Sequence, residues 1–449
     1  MESGNGERSQ GSMRGVRTVA ELASLMVSPM TGILKRLVLS PRYGDEVPII
    51  YPLVVPPDYS RLPLMHPIAT PGGTSFRVED SVARALFETI ERYCGAFVDR
   101  ERMICSKPVS EEFLYGDSLP LYADFQYEQE GWPFRQLTGN SRIWWVEGQS
   151  LFTGRRVFVP AVLVYVPYHS TSQEEAIGPS VSTGMAASWS WESACLAGLL
   201  EVCERDAFAI MWMNSLSMPR IKPHPSSKLA QELKTILPFG SSVEFVNITN
   251  DLGVPTVVAV FHYSYLGKPL VTVGAASKPS LYQACEKAFA EAANGYARVV
   301  SQLNDPKRTW YPAPDFSNVT DWEWHSLLYG IRPELQGALS FMTASAEQQF
   351  VNPESDAPTL DDRDALQALL ARLKGKFNDI VAVELTTRDF AELGVSAVRI
   401  MVPEAIPLHP DHRYPRLGHR RLYQVPHLLG FSEGNTTPET LNKDPHPFS

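Results

Sequence analysis

The sequence predicts an α+β fold in which mainly antiparallel sheets pack against helices. Long segments place apolar residues at helical spacing, and shorter segments rich in β-branched and aromatic residues lie between them. Short turn-prone sequences join several of the strand-like segments, which favours antiparallel pairing. The chain has 449 residues, of which 44% are hydrophobic and 20% charged, so it can bury one large core or two smaller ones.

Residues 1 to 66 are predicted to be a partly disordered extension, and residues 67 to 449 are predicted to form the main domain. Residues 1 to 15 are rich in Gly, Ser and charge and are expected to be disordered. A short helical pattern follows at Val19 to Met26, and a Pro-rich stretch runs from Pro48 to Pro67. We therefore expect no separate core in this extension.

The first half of the main domain is predicted to contain a long helix and a hairpin. Apolar residues recur at helical spacing from Ala83 to Cys94, after Asp80 and Ser81, which are good amino-terminal caps. Two strand-like segments follow, Arg142 to Glu147 and Val157 to Tyr168, separated by a turn-prone Thr-Gly pair.

The second half is predicted to contain further helices and strands. Helical patterns span Trp191 to Met213, Ser280 to Leu303 and Asp361 to Lys374. Strands are predicted for Val243 to Ile248, Thr256 to Tyr263, Leu270 to Ala275, Ile380 to Leu385, Ala397 to Val402 and Arg421 to Val425. Residues 304 to 358 contain Pro and Trp without a clear period and are predicted to be an irregular insert, and the chain ends in a Pro-rich tail.

The charge balance and the lack of long apolar runs argue against several classes of protein. Acidic residues number 50 and basic residues 40, so the net charge is -10, which disfavours a nucleic-acid-binding or anionic-membrane surface. No secretion signal is visible, and no run approaches the roughly 20 apolar residues of a membrane span. We therefore expect a cytoplasmic protein. Its five cysteines lack CxxC spacing and are expected to be buried, reduced thiols.

A Glu-x-x-Glu-Arg motif occurs twice, each time inside an apolar helical pattern. The copies are Glu88, Glu91 and Arg92, and Glu201, Glu204 and Arg205. Residues three apart share a helix face, so each copy directs two carboxylates to one side. The Glu and Arg four apart could also form ordinary surface ion pairs. The flanking residues are too apolar for a solvated face, however, and buried carboxylates need a partner of opposite charge.

The missing positive charge predicts a divalent cation. One arginine cannot neutralise two carboxylates, whereas Mg2+ binds one or two protein carboxylates together with water and phosphate oxygens. A nucleotide beside the metal is therefore implied. The sequence contains no Walker A, dinucleotide GxGxxG or kinase motif, so the pattern predicts an ATP and Mg2+ site of another kind.

Both motifs lie within longer stretches that carry a family resemblance. These stretches are ALFETIERY at 85–93, STGMAA at 182–187, LEVCERDA at 200–207 and DPHPFS at 444–449. Together they resemble the YcaO family, specifically its azoline-forming cyclodehydratases, and the resemblance runs from Ser28 to the last residue. It implies a YcaO-type fold in which mixed, mainly antiparallel sheets and helices surround an ATP site.

The resemblance also implies which side chains hold the cofactors. The implied metal ligands are Glu88, Glu91, Glu201, Glu204 and Glu291. The implied nucleotide-binding residues are Glu88, Arg92, Glu204, Arg205, Glu291, Asn294 and Arg298. The last three lie on the third long helix, where the Gln and Arg spacing usual in the family is not reproduced.

The resemblance places the Pro-rich tail in the active site, although by composition alone such an end is typical of disorder. Azoline-forming members end in a PxPxP-type sequence, which Pro445 and Pro447 match, while Ser449 replaces the final proline. A rigid extended tail would present the carboxylate of Ser449 for proton transfer. The tail therefore favours azoline formation over the other reactions of the family.

The implied activity is ATP-dependent cyclodehydration. Cys, Ser or Thr residues of a ribosomally made precursor peptide would become thiazolines or oxazolines through phosphorylation of the amide oxygen. The extension is too short for a leader-binding domain, so a separate ThiF/E1-like partner is expected. A flavin dehydrogenase and a homodimer are left open by the sequence. Two alternatives also stay open, a noncatalytic docking scaffold of the synthetase complex and a YcaO-type thioamide synthetase.

Overall fold

The computed structural model describes residues 16–39, 47–58, 72–105, 113–114, 118–305, 310–351 and 360–448. The α-helices are α1 Val19–Met26, α2 Val78–Ala96, α3 Asp124–Tyr127, α4 Trp191–Met213, α5 Lys228–Ile236, α6 Leu281–Asn304, α7 Trp322–Ile331, α8 Asp362–Leu373, α9 Arg388–Leu393 and α10 Arg421–Leu428. The strands are β1 Arg36–Leu39, β2 Pro52–Val55, β3 Met103–Ile104, β4 Trp145–Ser150, β5 Arg156–Pro160, β6 Met185–Ser188, β7 Arg220–Pro223, β8 Ser242–Asn247, β9 Thr256–Tyr265, β10 Lys268–Ser277, β11 Gln348–Val351, β12 Val381–Glu384 and β13 Ser396–Met401.

The strands form two large sheets and one small one. The five-stranded sheet has the order β10-β9-β8-β7-β11, and the six-stranded sheet has the order β3-β4-β12-β13-β6 with β5 paired to β4. Strands β1 and β2 pair separately. Among these described pairs only β11 with β7 is parallel, so the predicted α+β fold with mainly antiparallel sheets is confirmed.

Helix α4 joins the two large sheets. Leu199, in its first half, shares an apolar cluster with Ile400 of β13 in the six-stranded sheet. Phe208, in its second half, shares another with Val258 of β9 in the five-stranded sheet. A helix placed between two sheets must be apolar around most of its surface, which is why its polar positions stand out.

Helices α2 and α6 approach α4 from the two sheets. Helix α2 packs on the face of β13 opposite to α4, with Leu86 clustered against Ala397. Helix α6 covers the five-stranded sheet and lies so close to β10 that a Cβ on Gly274 would be 2.3 Å from the backbone nitrogen of Ala292. Phe76, which precedes α2, stacks on Phe289 of α6 at 5.4 Å between ring centroids, so the start of α2 lies beside α6.

Most predicted elements are confirmed. Helices α1 and α4 have the predicted bounds, and the predicted hairpin is the β4–β5 pair, although its second strand ends at Pro160 instead of Tyr168 and a 3-10 helix, Ala161–Leu163, follows. Helix α2 begins earlier than predicted, at Val78, and Ser81 is not its cap. The Ser81 hydroxyl instead donates to the backbone carbonyls of Ile50 and Gly73 at 2.9 and 2.7 Å.

Two predictions of local structure are wrong. Residues 421 to 425 begin α10 instead of a strand, because Leu422 and Val425, three residues apart, are both buried on one helical face. The region 304 to 358 is not irregular throughout. It holds α7, a 3-10 helix at Pro333–Thr343 and β11, and α7 buries Leu328 completely.

The amino-terminal region packs on the main core. Leu22 and Met26 of α1 are fully buried in the same cluster as Leu86. The domain boundary near residue 66 stays a prediction, since residues 59–71 lie outside the described part, as do residues 1–15 with their predicted disorder.

The predictions for membrane spans and cysteines can be compared with the described residues. None of the described helices combines the length and the hydropathy needed to cross a bilayer. Cys94, Cys195, Cys203 and Cys285 are buried and form no disulfide, as predicted, whereas Cys105 is exposed, so the prediction is wrong for that residue.

Candidate active site

Three helices bring five glutamates together. Glu88 and Glu91 come from α2, Glu201 and Glu204 from α4, and Glu291 from α6. Each of these carboxylates is repelled by two of the others, so that the five form a closed circuit of interacting charges, which we call the glutamate ring. The interacting pairs are Glu88–Glu91, Glu91–Glu201, Glu201–Glu204, Glu204–Glu291 and Glu291–Glu88. The side chains of Glu88, Glu91, Glu201, Glu204 and Glu291 keep 34, 17, 27, 14 and 33% of their accessible surface. All five side chains are therefore more than half buried.

Backbone groups of two strands hold the α4 carboxylates. The amide of Gly184, just before β6, donates to Glu201 Oε2 at 3.2 Å, and the amide of Ser277 at the end of β10 donates to Glu204 Oε2 at 3.1 Å. Gly184 has φ +87°, and a Cβ there would lie 2.2 Å from the carbonyl oxygen of Ile400. Only glycine fits this crossing, which fixes the position of one donor in the site.

Each motif arginine stands between its own two glutamates at a distance too long for a hydrogen bond. Arg92 is 3.6 Å from Glu88 and 3.7 Å from Glu91. Arg205 lies 3.5 Å from Glu201 and 3.7 Å from Glu204. These contacts provide Coulombic attraction without the short bidentate geometry of a closed ion pair.

Burial shifts the pKa values of the ring. Desolvation is the main reason that the pKa of Glu91 rises to about 8 and that of Glu204 to about 7, and repulsion from the neighbouring carboxylates adds to it. Burial likewise raises the pKa of Glu88. Glu291 differs because Lys287, which contacts its carboxylate, outweighs burial and holds its pKa below the usual value. Without a further cation the ring therefore retains protons near neutral pH.

The residues present fit Mg2+ together with a polyphosphate. Carboxylate oxygens are the ligands that Mg2+ prefers, and the raised pKa values mark charge that the protein itself leaves uncompensated. Among the described residues no group of three or more Asp, Glu, His or Cys side chains could chelate a metal alone. Asn294 Oδ1 is buried without a described hydrogen-bond partner, and the charge of Arg298 acts on Glu291.

Several basic residues at the site escaped the sequence analysis. Arg399 of β13 is only 4% exposed, and its Nε and Nη1 atoms have no described hydrogen-bond partner. Burial lowers its pKa to about 10 against the opposing charges of Glu201 and Glu91. Lys278 and Arg84 act on Glu291, and burial lowers the pKa of Lys278 to about 8. A charged residue in the otherwise apolar stretch 397–402 was the available sequence signal for Arg399.

The carboxyl-terminal tail ends beside the ring. Phe448 is 4% exposed, packs on Phe208 at 4.9 Å between ring centroids, and lies under the Arg205 guanidinium at 4.1 Å. Pro445 and Pro447 are buried, and the Pro445 carbonyl accepts a hydrogen bond from the Tyr329 hydroxyl at 2.7 Å.

The predicted set of site residues is thus placed around three helices and the tail, except for Ser449, which lies outside the described residues. The catalytic and binding roles assigned to the individual side chains stay predictions.

Solved structures of several proteins resemble this fold. A heterocyclase in complex with substrate and cofactor matches with a TM-score of 0.76 and 18% identity, over 96% of this chain and 57% of its own. YcaO from Methanopyrus kandleri bound with AMPPCP and Mg2+ matches with a TM-score of 0.59 and 20% identity, over 83% and 86%. The E. coli microcin synthetase McbBCD complex matches with a TM-score of 0.53 and 14% identity, over 84% and 89%.

At these identities the likeness concerns the fold, and this chain spans little more than half of the heterocyclase chain. The family itself is identified by sequence. A family model described as YcaO cyclodehydratase, ATP- and Mg2+-binding, matches residues 72–406, a segment that contains the whole glutamate ring. The predicted cofactors ATP and Mg2+ are thereby confirmed. The chain belongs to the YcaO family.

Proposed function

We propose that this protein is an azoline-forming cyclodehydratase that converts Cys, Ser or Thr residues of a ribosomally made peptide into thiazolines or oxazolines. The observation that carries the proposal is the meeting of two features at Arg205. On one side of this residue lie Glu201 and Glu204, and on the other lies Phe448 of the tail. A nucleotide site and a seated tail thus share one side chain.

Formation of each azoline heterocycle in the peptide consumes one ATP and removes the amide oxygen as phosphate. The substrate thiol or hydroxyl adds to the preceding carbonyl carbon and loses its proton, leaving an oxyanion on the former carbonyl oxygen. When bound, ATP with Mg2+ supplies the phosphoryl group that turns this oxygen into a phosphate leaving group. Loss of the amide proton and of phosphate then forms the C=N bond, and the products are azoline, ADP and phosphate.

The side chains of this protein would contribute positioning and charge. We assign Glu88, Glu91, Glu201, Glu204 and Glu291 to the metal ions. Arg92, Arg205, Asn294 and Arg298 are assigned to the nucleotide, with Glu88, Glu204 and Glu291 also facing it. Because the glutamates are held by backbone amides and packed helices, little reorganisation is needed when charge develops on the phosphoryl oxygens.

We further propose that the tail supplies the proton transfers of the reaction. Pro445 and Pro447 restrict its backbone, and Phe448, the last described residue, packs against Arg205. The terminal carboxylate of Ser449, as the predicted acid or base, would follow directly. This assignment goes beyond the described residues.

A ThiF/E1-like protein is proposed to present the leader of the precursor peptide. Support comes from the E. coli microcin synthetase, a McbBCD complex whose fold this chain resembles, and from a heterocyclase chain that is longer than the part this chain matches. A flavin dehydrogenase would act only after the azoline has formed.

Reconstitution tests the proposal. The protein is combined with a candidate ThiF-like partner protein, a candidate precursor peptide, ATP and Mg2+. The intact mass of the peptide is followed together with phosphate release. We expect the loss of one water, about 18 Da, for each ring and about one phosphate per ring. Omission of the partner should leave weak or absent processing.

The same measurement separates the alternatives. A thioamide synthetase exchanges oxygen for sulfur and therefore adds mass, about 16 Da for each exchange. A docking scaffold allows rings to form with unchanged phosphate release after the α4 glutamates are replaced. Either result, or full-rate processing by the isolated protein, would contradict the proposed function in the corresponding part.

A further inference from the structure

The tail is held in place by a stack of buried histidines. His446 of the tail lies on His325 of α7 with ring centroids 3.9 Å apart and the planes 12° from parallel, and His409 stands edge-on to His446 at 5.0 Å. His325 and His446 are 0 and 1% exposed, and His409 is 7% exposed. We call these three residues the histidine seat.

Two hydrogen bonds fix the tautomers in the seat. His325 Nδ1 donates to the backbone carbonyl of His446 at 2.9 Å, and His446 Nε2 donates to the backbone carbonyl of His409 at 3.0 Å. A carbonyl oxygen can only accept, so both of these nitrogens carry hydrogen. The second ring nitrogens, His325 Nε2 and His446 Nδ1, are buried without a described partner. A second proton on His446 would have no described acceptor, and at His325 the backbone of Pro410 favours protonation less strongly than burial opposes it.

The surroundings also oppose protonation. Burial is the main cause that lowers the pKa of His325 to about 4 and holds those of His409 and His446 well below the usual range. The charged and titratable groups that act on the seat are Arg205 of α4, Arg416, Asp411 and His412 of the loop before α10, and Asp444 of the tail, which acts through His412. Arg205 and Arg416 repel a protonated seat, while Asp411 attracts it less strongly than burial opposes it.

We propose that His325 and His409 are positioning residues that hold the tail beside Arg205 only while the stacked imidazoles are neutral, so that the tail leaves its seat in acid. The effect of tail release on catalysis rests on the proposed function, whereas the binding of the tail to the histidine seat is a property of the fold alone. It gives the active site a built-in lower pH limit that is independent of the glutamate ring.

The expected pH window follows from proton linkage. When the tail is released, His446 takes an ordinary pKa near 6.5, and His325, which stays on α7 but loses the ring that covers it, approaches that value. The released state therefore gains protons as the pH falls below about 6.5. The seated state gains none until about pH 4 for His325. Each histidine that is protonated on release favours release by up to tenfold per pH unit, so His325 and His446 together predict up to about a hundredfold more release at pH 5.5 than at pH 7.5.

Digestion by carboxypeptidase Y measures release without ATP or peptide substrate. The rate of loss of the last residues is followed by intact mass at pH 5.5 and 7.5 and is divided by the rate for a free peptide of residues 438–449. We expect the wild-type ratio to rise by tens of fold in acid. A ratio that does not change with pH overturns the proposal without any substitution.

The double variant His325→Asn with His446→Gln provides the sharper test. Asn can reproduce the Nδ1 donor and Gln the Nε2 donor, but neither takes up a proton, so the tail should stay seated at both pH values. His427→Asn is the matched control, because His427 is exposed and its Nδ1 also bonds a carbonyl, that of Ser432. It should behave as wild type. A double variant with the full wild-type pH response overturns the proposal.

Ring formation at the two pH values links the seat to the reaction. Activity at pH 5.5 should be retained better in the double variant than in wild type, as a fraction of the value at pH 7.5. Tail release that follows pH in a protein with no cyclodehydration would overturn the proposed function and leave the seat established. Cyclodehydration by a protein whose tail stays seated at both pH values would support the proposed function and overturn the proposal for the histidine seat.

Discussion

Helix α4 carries two ionic clusters that differ in how completely they are paired. On one side Asp206, which is fully buried, receives two hydrogen bonds from Arg421 at 2.7 and 2.9 Å, and Arg421 makes two more to Asp251 at 2.7 and 3.0 Å. Asn250 and the amide of Ile406 complete the shell of Asp206. We call this the closed cluster.

The neighbouring residue begins the other cluster, the glutamate ring. Arg205 approaches Glu201 and Glu204 only to 3.5 and 3.7 Å, and its Nε makes no described hydrogen bond. Burial raises the pKa of Glu204 to about 7 and of Glu91 to about 8. A structural ion cluster satisfies its charges within the fold, whereas the ring keeps unmet capacity that a ligand can use.

Removing charge from the ring should cause the largest loss of activity. In a Glu201→Gln, Glu204→Gln variant we expect ring formation to fall roughly 10³-fold, because charges aimed at the phosphoryl group are worth factors of this size. The fold and the binding of the partner protein should persist. Single-turnover assays of ring formation and a partner pull-down measure both.

A matched control for this variant lies on α5. Glu232 forms an exposed pair with Lys228 in the same four-residue spacing, at 3.4 Å. Glu232→Gln should leave the activity unchanged. If the double variant kept wild-type turnover, the ring would be no more than a structural cluster.

Breaking the closed cluster should instead reduce stability. Arg421→Met leaves Asp206 buried without its cation, and we expect the free energy of unfolding to fall by about 3–5 kcal/mol. Arg388→Met is the control, since the exposed Arg388–Glu392 pair, with its 3.2 Å contact, should be worth less than about 1 kcal/mol. Denaturant unfolding compares the two. An equal loss in both variants would show that complete pairing has no special weight here.

The same contrast explains what the sequence could predict. Periodicity was enough for α4, because the spacing of its apolar positions is a local feature. The acidic pairs of α2 and α4 were also found locally, as residues three apart, whereas Glu291 of α6 was assigned to the site only through the family resemblance. Their convergence was expected only through the family resemblance, because contacts between helices are not encoded in spacing.

The missed features depend on distant partners. Arg421 pairs with Asp206, which is 215 residues away, so the segment was predicted as a strand although its buried positions follow a helix. Arg399 joins the site through carboxylates of two other elements, and a single arginine in a strand gives no sign of them. The position of the tail was not missed, but it was expected only from the family resemblance, because Phe448 and its contact Arg205 are far apart in the chain.

The affinity for nucleotide should depend on pH because carboxylates of the glutamate ring titrate near neutral pH, and loss of the closed cluster should not change this dependence. Glu91 and Glu204 have pKa values raised from 4.5, so without ligand their contribution to stability is present below pH 4.5 and is lost as the pH rises to about 7–8. Mg2+ requires ionised carboxylates. The affinity for Mg2+ and nucleotide should therefore increase from pH 6 to pH 8, by up to tenfold per pH unit for each proton released.

Thermal shifts with Mg2+ and a non-hydrolysable ATP analogue test this at pH 6, 7 and 8. The rise in melting temperature on ligand addition should grow with pH in wild type and should grow less in Glu91→Gln, which has lost one titrating group. Arg421→Met should lower all melting temperatures while retaining the wild-type slope. A ligand effect that is independent of pH would contradict the proton count assigned to the ring.

The smallest expected effect concerns the contact that joins the tail to the ring. Phe448→Ala removes the aromatic face under Arg205 and the packing on Phe208, and we expect ring formation to slow by about tenfold. Phe448→Leu retains apolar volume without the aromatic face, so its rate separates packing from the cation–π contact. Phe431→Ala, at an exposed phenylalanine, is the control. If the leucine variant has the full wild-type rate, packing alone holds the tail. An intermediate rate shows that the aromatic side chain of Phe448 also orients Arg205, which makes no short hydrogen bond to Glu201 or Glu204.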